Sequence, residues 1–105
     1  MAQFTVFENP NRATRAIYPY LLDIQSDLLN DLRTTVVIPL SPLRLVGKAA
    51  ISRLCPVLEI DGESYVAFTQ QLAGVERKML AKAVCNLAGC RSDIIAAMDF
   101  MISGF

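Results

Sequence analysis

Residues 91–105 read Arg91-Ser92-Asp93-Ile94-Ile95-Ala96-Ala97-Met98-Asp99-Phe100-Met101-Ile102-Ser103-Gly104-Phe105. The spacing predicts a helix. Ile94, Ile95, Met98, Met101 and Ile102 fall at i, i+1, i+4, i+7 and i+8, one apolar stripe at the helical period. Ser92 is the expected N-cap, and Asp93 just inside it suits the positive end of the helix dipole. Gly89 offers a break before the helix. Ser92, Ala96, Asp99 and Ser103 form a small, polar second face, roughly opposite the stripe. One side is made for a core and the other is left for something else. The sequence ends at Gly104-Phe105 without a polar tail, where chain ends are usually loose and hydrophilic. Two readings of that end stand: a buried terminal Phe, or an apolar tip presented to a partner beside the polar face.

Ahead of this helix the chain is mostly β-patterned. Gln3–Phe7 alternates as an opening strand, followed by the turn Asn9-Pro10-Asn11 and a polar stretch, 12–15. Tyr18, Tyr20, Leu22 and Ile24 alternate next, and Pro19 makes that strand begin there or lie at an edge. Leu28, Leu29 and Leu32 make one helical turn that Ser26 or Asp27 can cap. Thr34–Leu40 is β-branched and apolar on both faces, the mark of a central strand, with Pro39 and Pro42 expected to end it. Leu43–Leu54 reads as a long loop with one helical turn at most, basic at Arg44, Lys48 and Arg53 and without an acid. Val57–Phe68 is a hairpin with Asp61-Gly62 at its tip, the type I′ signal. Gly74 reads as a break. Met79, Leu80, Ala83, Val84 and Leu87 fit a helix by spacing and propensity when 76–87 is taken alone.

The length, 105 residues, sets a single domain spanning 1–105. Ten basic and ten acidic residues cancel, which leaves no nucleic-acid footprint, while 53% apolar content leans toward an oligomer. No apolar run is long enough to span a membrane and no secretory leader is visible, so the expected location is cytoplasmic. Cys55, Cys85 and Cys90 are odd in number and lack a C-x-x-C spacing, which points to free buried thiols. The absence of histidine removes Ser-His and Cys-His nucleophile pairs and most zinc sites. No phosphate loop or nucleophile elbow occurs, and Asp93 and Asp99 fall on different helix faces. Strands followed by one helix give an α+β class, mainly β, with a curved antiparallel sheet. No catalytic residue, cofactor or metal is expected, and these patterns reach no further than an oligomeric binding module.

Gln-Phe-Thr-Val-Phe at 3–7, Leu-Asp-Ile-Gln-Ser-Asp-Leu-Leu at 22–29, Val-Ile-Pro-Leu at 37–40, Cys55-Pro56 ahead of the hairpin, Thr69 after it, and Asp93–Met101 leading to Gly104 form a set. Taken together, these stretches resemble the CcdB toxin family. The resemblance covers essentially the whole chain. It implies a fold close to an SH3-like barrel, with a main antiparallel sheet, a small accessory sheet and a C-terminal helix, assembled as a symmetric homodimer. It also implies extended chain at Val75–Met79, against the local helical pattern, and here the family pattern is preferred because tertiary context overrides weak propensity.

For function, the resemblance implies a non-enzymatic toxin that binds the A subunit of DNA gyrase and traps the cleaved DNA complex. DNA is then met only through gyrase or through the toxin–antitoxin complex. A CcdA-like antitoxin with a disordered tail would neutralise it. The target-contacting positions carry over to Leu28 and Leu29 and, on the helix and its tip, to Ser92, Asp99, Ser103, Gly104 and Phe105. Well-known members have Trp where Ser103 stands and Ile where Phe105 stands, so an aromatic hot spot has left its usual place. The acid-free stretch with Arg44, Lys48 and Arg53, together with 8–15, is the expected grip for an acidic antitoxin tail. The alternatives are an endoribonuclease toxin of the same architecture, disfavoured by neutral charge and missing histidine, and a decayed toxin that keeps only antitoxin binding.

Overall fold

The computed structural model describes residues 3–104. Seven strands follow the chain as β1 (Thr5–Glu8), β2 (Tyr20–Asp23), β3 (Thr34–Pro42), β4 (Val57–Ile60), β5 (Glu63–Ala67), β6 (Ala73–Glu76) and β7 (Ala83–Asn86). A short helix, α1 (Leu43–Val46), leaves the end of β3, and the long helix α2 (Arg91–Ser103) closes the described chain. β3 is the spine because it is long, β-branched and largely buried. Along one edge it pairs β2, with Leu22 opposite Ile38. Along its other edge the first half pairs β6 and the last three residues pair β5. The sheet runs β4-β5-β3-β2-β1-β7, all antiparallel, and curls into a half-barrel. The β4–β5 hairpin is the smaller lobe, continuous with the main sheet through β3.

The period of two puts Val6, Leu22, Ile38 and Leu40 on one face, where they form a buried cluster with Leu58, Ile60, Leu87 and Ile94. α2 seals this cluster. Ile94 and Ala97 are fully buried, and Ile95 and Met98 pack beside them. Full burial of a side chain the size of Ile94 contributes about 1.5–3 kcal/mol. The expected fold class is therefore the one observed. The central strand, the turn at 27–29 and the hairpin are also present. Asp61 and Gly62 both have positive φ, 51° and 80°, as a type I′ turn requires. All three cysteines are free, with Cys55 buried and Cys85 and Cys90 half-buried.

Several local expectations are overturned. The helix suggested at 76–87 is absent: β6 ends at Glu76, a 3-10 turn covers Arg77–Met79 and β7 starts at Ala83. Ladder pairing to β3 and β1 outweighs the modest propensity of that stretch. The extended chain implied for Val75–Met79 holds for Val75 and Glu76 and gives way to that turn beyond. Gly74 does not break the chain but pairs with Val36 inside β6.

Pro39 does not end β3. It stands where β3 changes partner from β6 to β5, so its missing N–H falls where no ladder bond is needed, while its carbonyl accepts from Phe68 N–H at 3.0 Å. The opening strand starts at Thr5, because Phe4 adopts a left-handed φ of 66°. Ser92 is not the N-cap. A 3-10 turn at Ala88–Cys90 runs straight into α2, and Asn86 accepts from Ala88 N–H upstream at 2.8 Å. Asp93 does lie in the first turn. The apolar stripe is only partly core: Ile94 is buried, Ile95, Met98 and Met101 are half-buried, and Ile102 is 76% exposed.

Candidate functional site

The turn after β2 carries the first candidate residues. Ser26 caps it, accepting from Leu28 N–H at 3.1 Å, and Gln3 N–H donates to Asp27 Oδ1 at 3.0 Å. Leu28 projects into solvent at 93% exposure, and Leu29 and Leu32 are about half exposed. Three exposed leucines within five positions are unusual for a turn, where polar residues satisfy the backbone without a hydrophobic cost. The turn is held from behind by Arg77, whose side chain is three-quarters buried. Its Nε donates to Leu32 O at 2.9 Å and its Nη2 to Leu29 O at 3.2 Å. Its own backbone N–H donates to Arg33 O at 2.9 Å.

Beneath the turn lies Asp23, which is fully buried. Its Oδ1 accepts from Thr35 Oγ1 at 2.8 Å and from Gln25 N–H at 3.1 Å, while Oδ2 has only Arg77 Nη1 at a long 3.9 Å. Burial pushes its carboxyl above the ordinary value of 3.8. The Thr35 and Gln25 hydrogen bonds and the Arg77 charge pull the other way.

The second candidate surface is the outer face of α2. Ser92, Ala96, Asp99 and Ser103 are all exposed, as their spacing requires of the face turned from the core. Ser103 Oγ donates to Asp99 O at 2.8 Å, folding that hydroxyl onto the helix. Gly104 ends the helix at φ 79°, and its N–H donates to Phe100 O. That left-handed cap suits glycine. Phe105, assigned to the tip by resemblance, lies outside the described residues. Asn86, at the end of β7, donates from Nδ2 to Gln3 O at 3.1 Å, and Gln3 N–H in turn bonds Asp27, so the leucine turn is tied to the strand that leads toward α2. Along α2, Ser103 lies eleven positions beyond Ser92, about 16 Å at the helical rise.

The basic stretch does not converge on one point. Arg44, on α1, pairs with Glu63 of the hairpin at 2.7 Å. Lys48 is exposed on a 3-10 turn. Arg53 turns the other way and stacks 4.6 Å over the Phe100 ring of α2. It borders a cavity of about 440 Å³ that includes Val57, Asp93 and Ala96. A more apolar groove of about 480 Å³ opens on the far face of the sheet, between Tyr18, Leu21, Pro39, Val75, Met79 and Leu80. Among the described residues no three His, Cys, Asp or Glu side chains stand together as a metal site, and no helix is long and apolar enough to cross a membrane.

Sequence patterning missed Arg77, and it placed Leu32 in the turn without assigning it to the site. Arg77 sat in a stretch helical by local pattern and extended by family resemblance, and its role depends on a strand that brings it across 45 positions to Leu32. The leucines were legible, but the arginine that fixes them was not.

A curled antiparallel sheet with one sealing helix and its distinctive residues on outward surfaces defines a small half-barrel domain built for contact. The model of the family described as CcdB protein matches residues 3–104. The chain belongs to the CcdB family, the toxins of toxin–antitoxin pairs.

Proposed function

We propose that this toxin acts without catalysis, by binding the DNA gyrase A subunit through the leucine turn and the outer face and tip of α2, and that it traps gyrase on cleaved DNA. The observation that carries the reading is the exposure of Leu28, together with an α2 face whose four positions all meet solvent. An apolar side chain held clear of its own protein is the form of a contact residue, since nothing in the fold is gained by exposing it. Asp99 supplies a carboxylate for an arginine of the target, and Gly104, lacking Cβ, lets a partner backbone approach closely. Phe105 supplies aromatic area in place of the family's Trp.

The active unit in this reading is a homodimer in the cytoplasm. Ile102, exposed at the end of a stripe that is elsewhere buried or half-buried, supports an interface with a second copy. Antitoxin binding falls to the basic stretch with Arg44, Lys48 and Arg53. Supercoiling and DNA-cleavage assays with purified gyrase test the reading. Inhibition with stabilised cleavage complexes is expected, and total RNA from induced cells stays intact. Degraded RNA with normal supercoiling would establish the nuclease alternative instead.

A further inference from the structure

We propose that Arg77 is a positioning residue for the toxin's target contact: it holds the turn at 26–32 in the one shape that displays Leu28, Leu29 and Leu32. This rests on the reading of that turn as a gyrase contact. Leu28 is almost wholly exposed, so packing does not orient it. Its direction follows from the backbone of the turn alone.

That backbone ends in carbonyls that a 3-10 turn leaves without internal donors. Leu32 O is one such group, and Leu29 O, which already accepts from Leu32 N–H, keeps a second lone pair; the Arg77 guanidinium spans both with its Nε and Nη2. A planar fork of donors fits a pair of carbonyls as a single ammonium does not. A cation also suits the negative end of a helical turn. The fork is itself fixed from two sides. The Arg77 backbone bonds Arg33 O, just beyond the end of β6 where Glu76 pairs with Thr34. Its third nitrogen faces the buried Asp23. Among the described residues, no other side chain from outside 22–34 donates a hydrogen bond to a carbonyl of the turn's second half. The local bonds, Leu29 N–H to Ser26 O and Leu32 N–H to Leu29 O, close the turn but do not tie it to the sheet.

Hydrogen exchange and gyrase inhibition on the full-length protein decide the matter, using R77M, R77K and the double variant D23N/R77M. R77M should speed exchange of the Leu29 and Leu32 amides about tenfold or more, the worth of a hydrogen bond or two. Amides of the β2–β3 ladder should keep their wild-type rates. R77K should recover only part of the protection. D23N/R77M should reproduce the R77M exchange, which separates loss of the clamp from a stranded carboxylate. In the gyrase assay R77M should lose potency in the same direction as L28A, through faster dissociation.

Unchanged exchange at 29 and 32 would overturn the proposal, and so would an equal rise throughout the strands. Fast exchange in R77M together with a fully potent L28A would leave the clamp standing and remove Leu28 from the target contact, so the two readings fail separately.

Discussion

The leucine turn and the end of α2 both hold apolar residues out to solvent, and the protein supports them by opposite means. The turn is tied down by Ser26, Gln3 and Arg77, with hydrogen bonds reaching across as many as 48 positions. Among the described residues, no side-chain hydrogen bond ties the end of α2 to another element; Arg53 stacks over Phe100 one turn back. Ile94 and Ala97 anchor its first half, whereas Ile102 is exposed and Ser103 bonds to its own helix. A pinned turn is organised before its partner arrives, which lowers the ordering cost of binding. A helix end with an exposed Ile102 keeps an apolar surface which a second copy can cover. In the proposed contact, then, the turn is complete in a single chain, and the end of α2 would be completed by the proposed dimer.

The largest effect tests the contact itself. Gly104→Glu and Leu28→Asp should each weaken gyrase poisoning by at least about 30-fold, the scale of a ~2 kcal/mol hot spot. Melting temperature should fall little for Leu28→Asp, since Leu28 packs on nothing, and modestly for Gly104→Glu, because a left-handed φ costs a non-glycine residue about 1–2 kcal/mol. Phe105→Ala should also abolish growth inhibition. A folded, fully toxic Phe105→Ala would remove the tip from the contact. Ser103→Trp should keep or raise toxicity.

A second pair of substitutions divides α2. Ile94→Ala should cost about 2–5 kcal/mol in urea unfolding, as for a fully buried aliphatic side chain. Ile102→Ala should cost much less in the folded chain, yet shift light-scattering mass toward the monomer's 11.6 kDa at micromolar concentration. Equal costs for the two would show that the stripe is uniform and the contrast drawn above is false.

How far the sequence carries depends on the range of the interactions involved. The hairpin was legible because Asp61-Gly62 encodes its turn locally, and the outer face of α2 because four positions at helical spacing must share a side. The segment 76–87 was not legible. Its apolar spacing suits a helix, and only the unpaired edges of β1 and β3 make it extended. Ser92 has the chemistry of a cap, but an upstream 3-10 turn took that role. Pro39 reads locally as a strand end, because the change of partner along β3 is a fact of topology. Of the candidate site, the displayed leucines were visible from the 22–29 string. Arg77 was hidden by its distance in sequence, and Arg44 looked free until the hairpin brought Glu63 beside it.

Charge reversal at Arg44 and Lys48 should have an intermediate effect. Antitoxin affinity should fall about tenfold, through slower association that is strongly salt-dependent. Toxicity should be unchanged, because neither residue lies on the leucine turn or α2. Loss of the Arg44–Glu63 pair should leave melting temperature nearly unchanged, since an exposed pair contributes little. Unaltered antitoxin affinity would move that partner off the basic stretch.

The smallest expected effect probes what lies under the pinned turn. Burial raises the Asp23 carboxyl above 3.8, so the folded protein holds that proton more tightly than the unfolded chain does. Where the folded state binds more protons, stability falls as pH rises. The Asp23 contribution is therefore fully present below 3.8 and is lost as pH climbs through the higher folded value. Urea midpoints of wild type and Asp23→Asn, followed from pH 7 down toward pH 4, should diverge in favour of wild type as the solution is acidified. Arg77 lowers the Asp23 pKa, so removing its charge in R77M should make the gain begin at a higher pH. The opposite trend, with wild type losing ground to Asp23→Asn on acidification, would mean that the Arg77 charge outweighs burial. The 3.9 Å separation argues against that outcome, because a guanidinium so far from Oδ2, and already committed to Leu29 and Leu32, serves the turn before it serves the carboxylate.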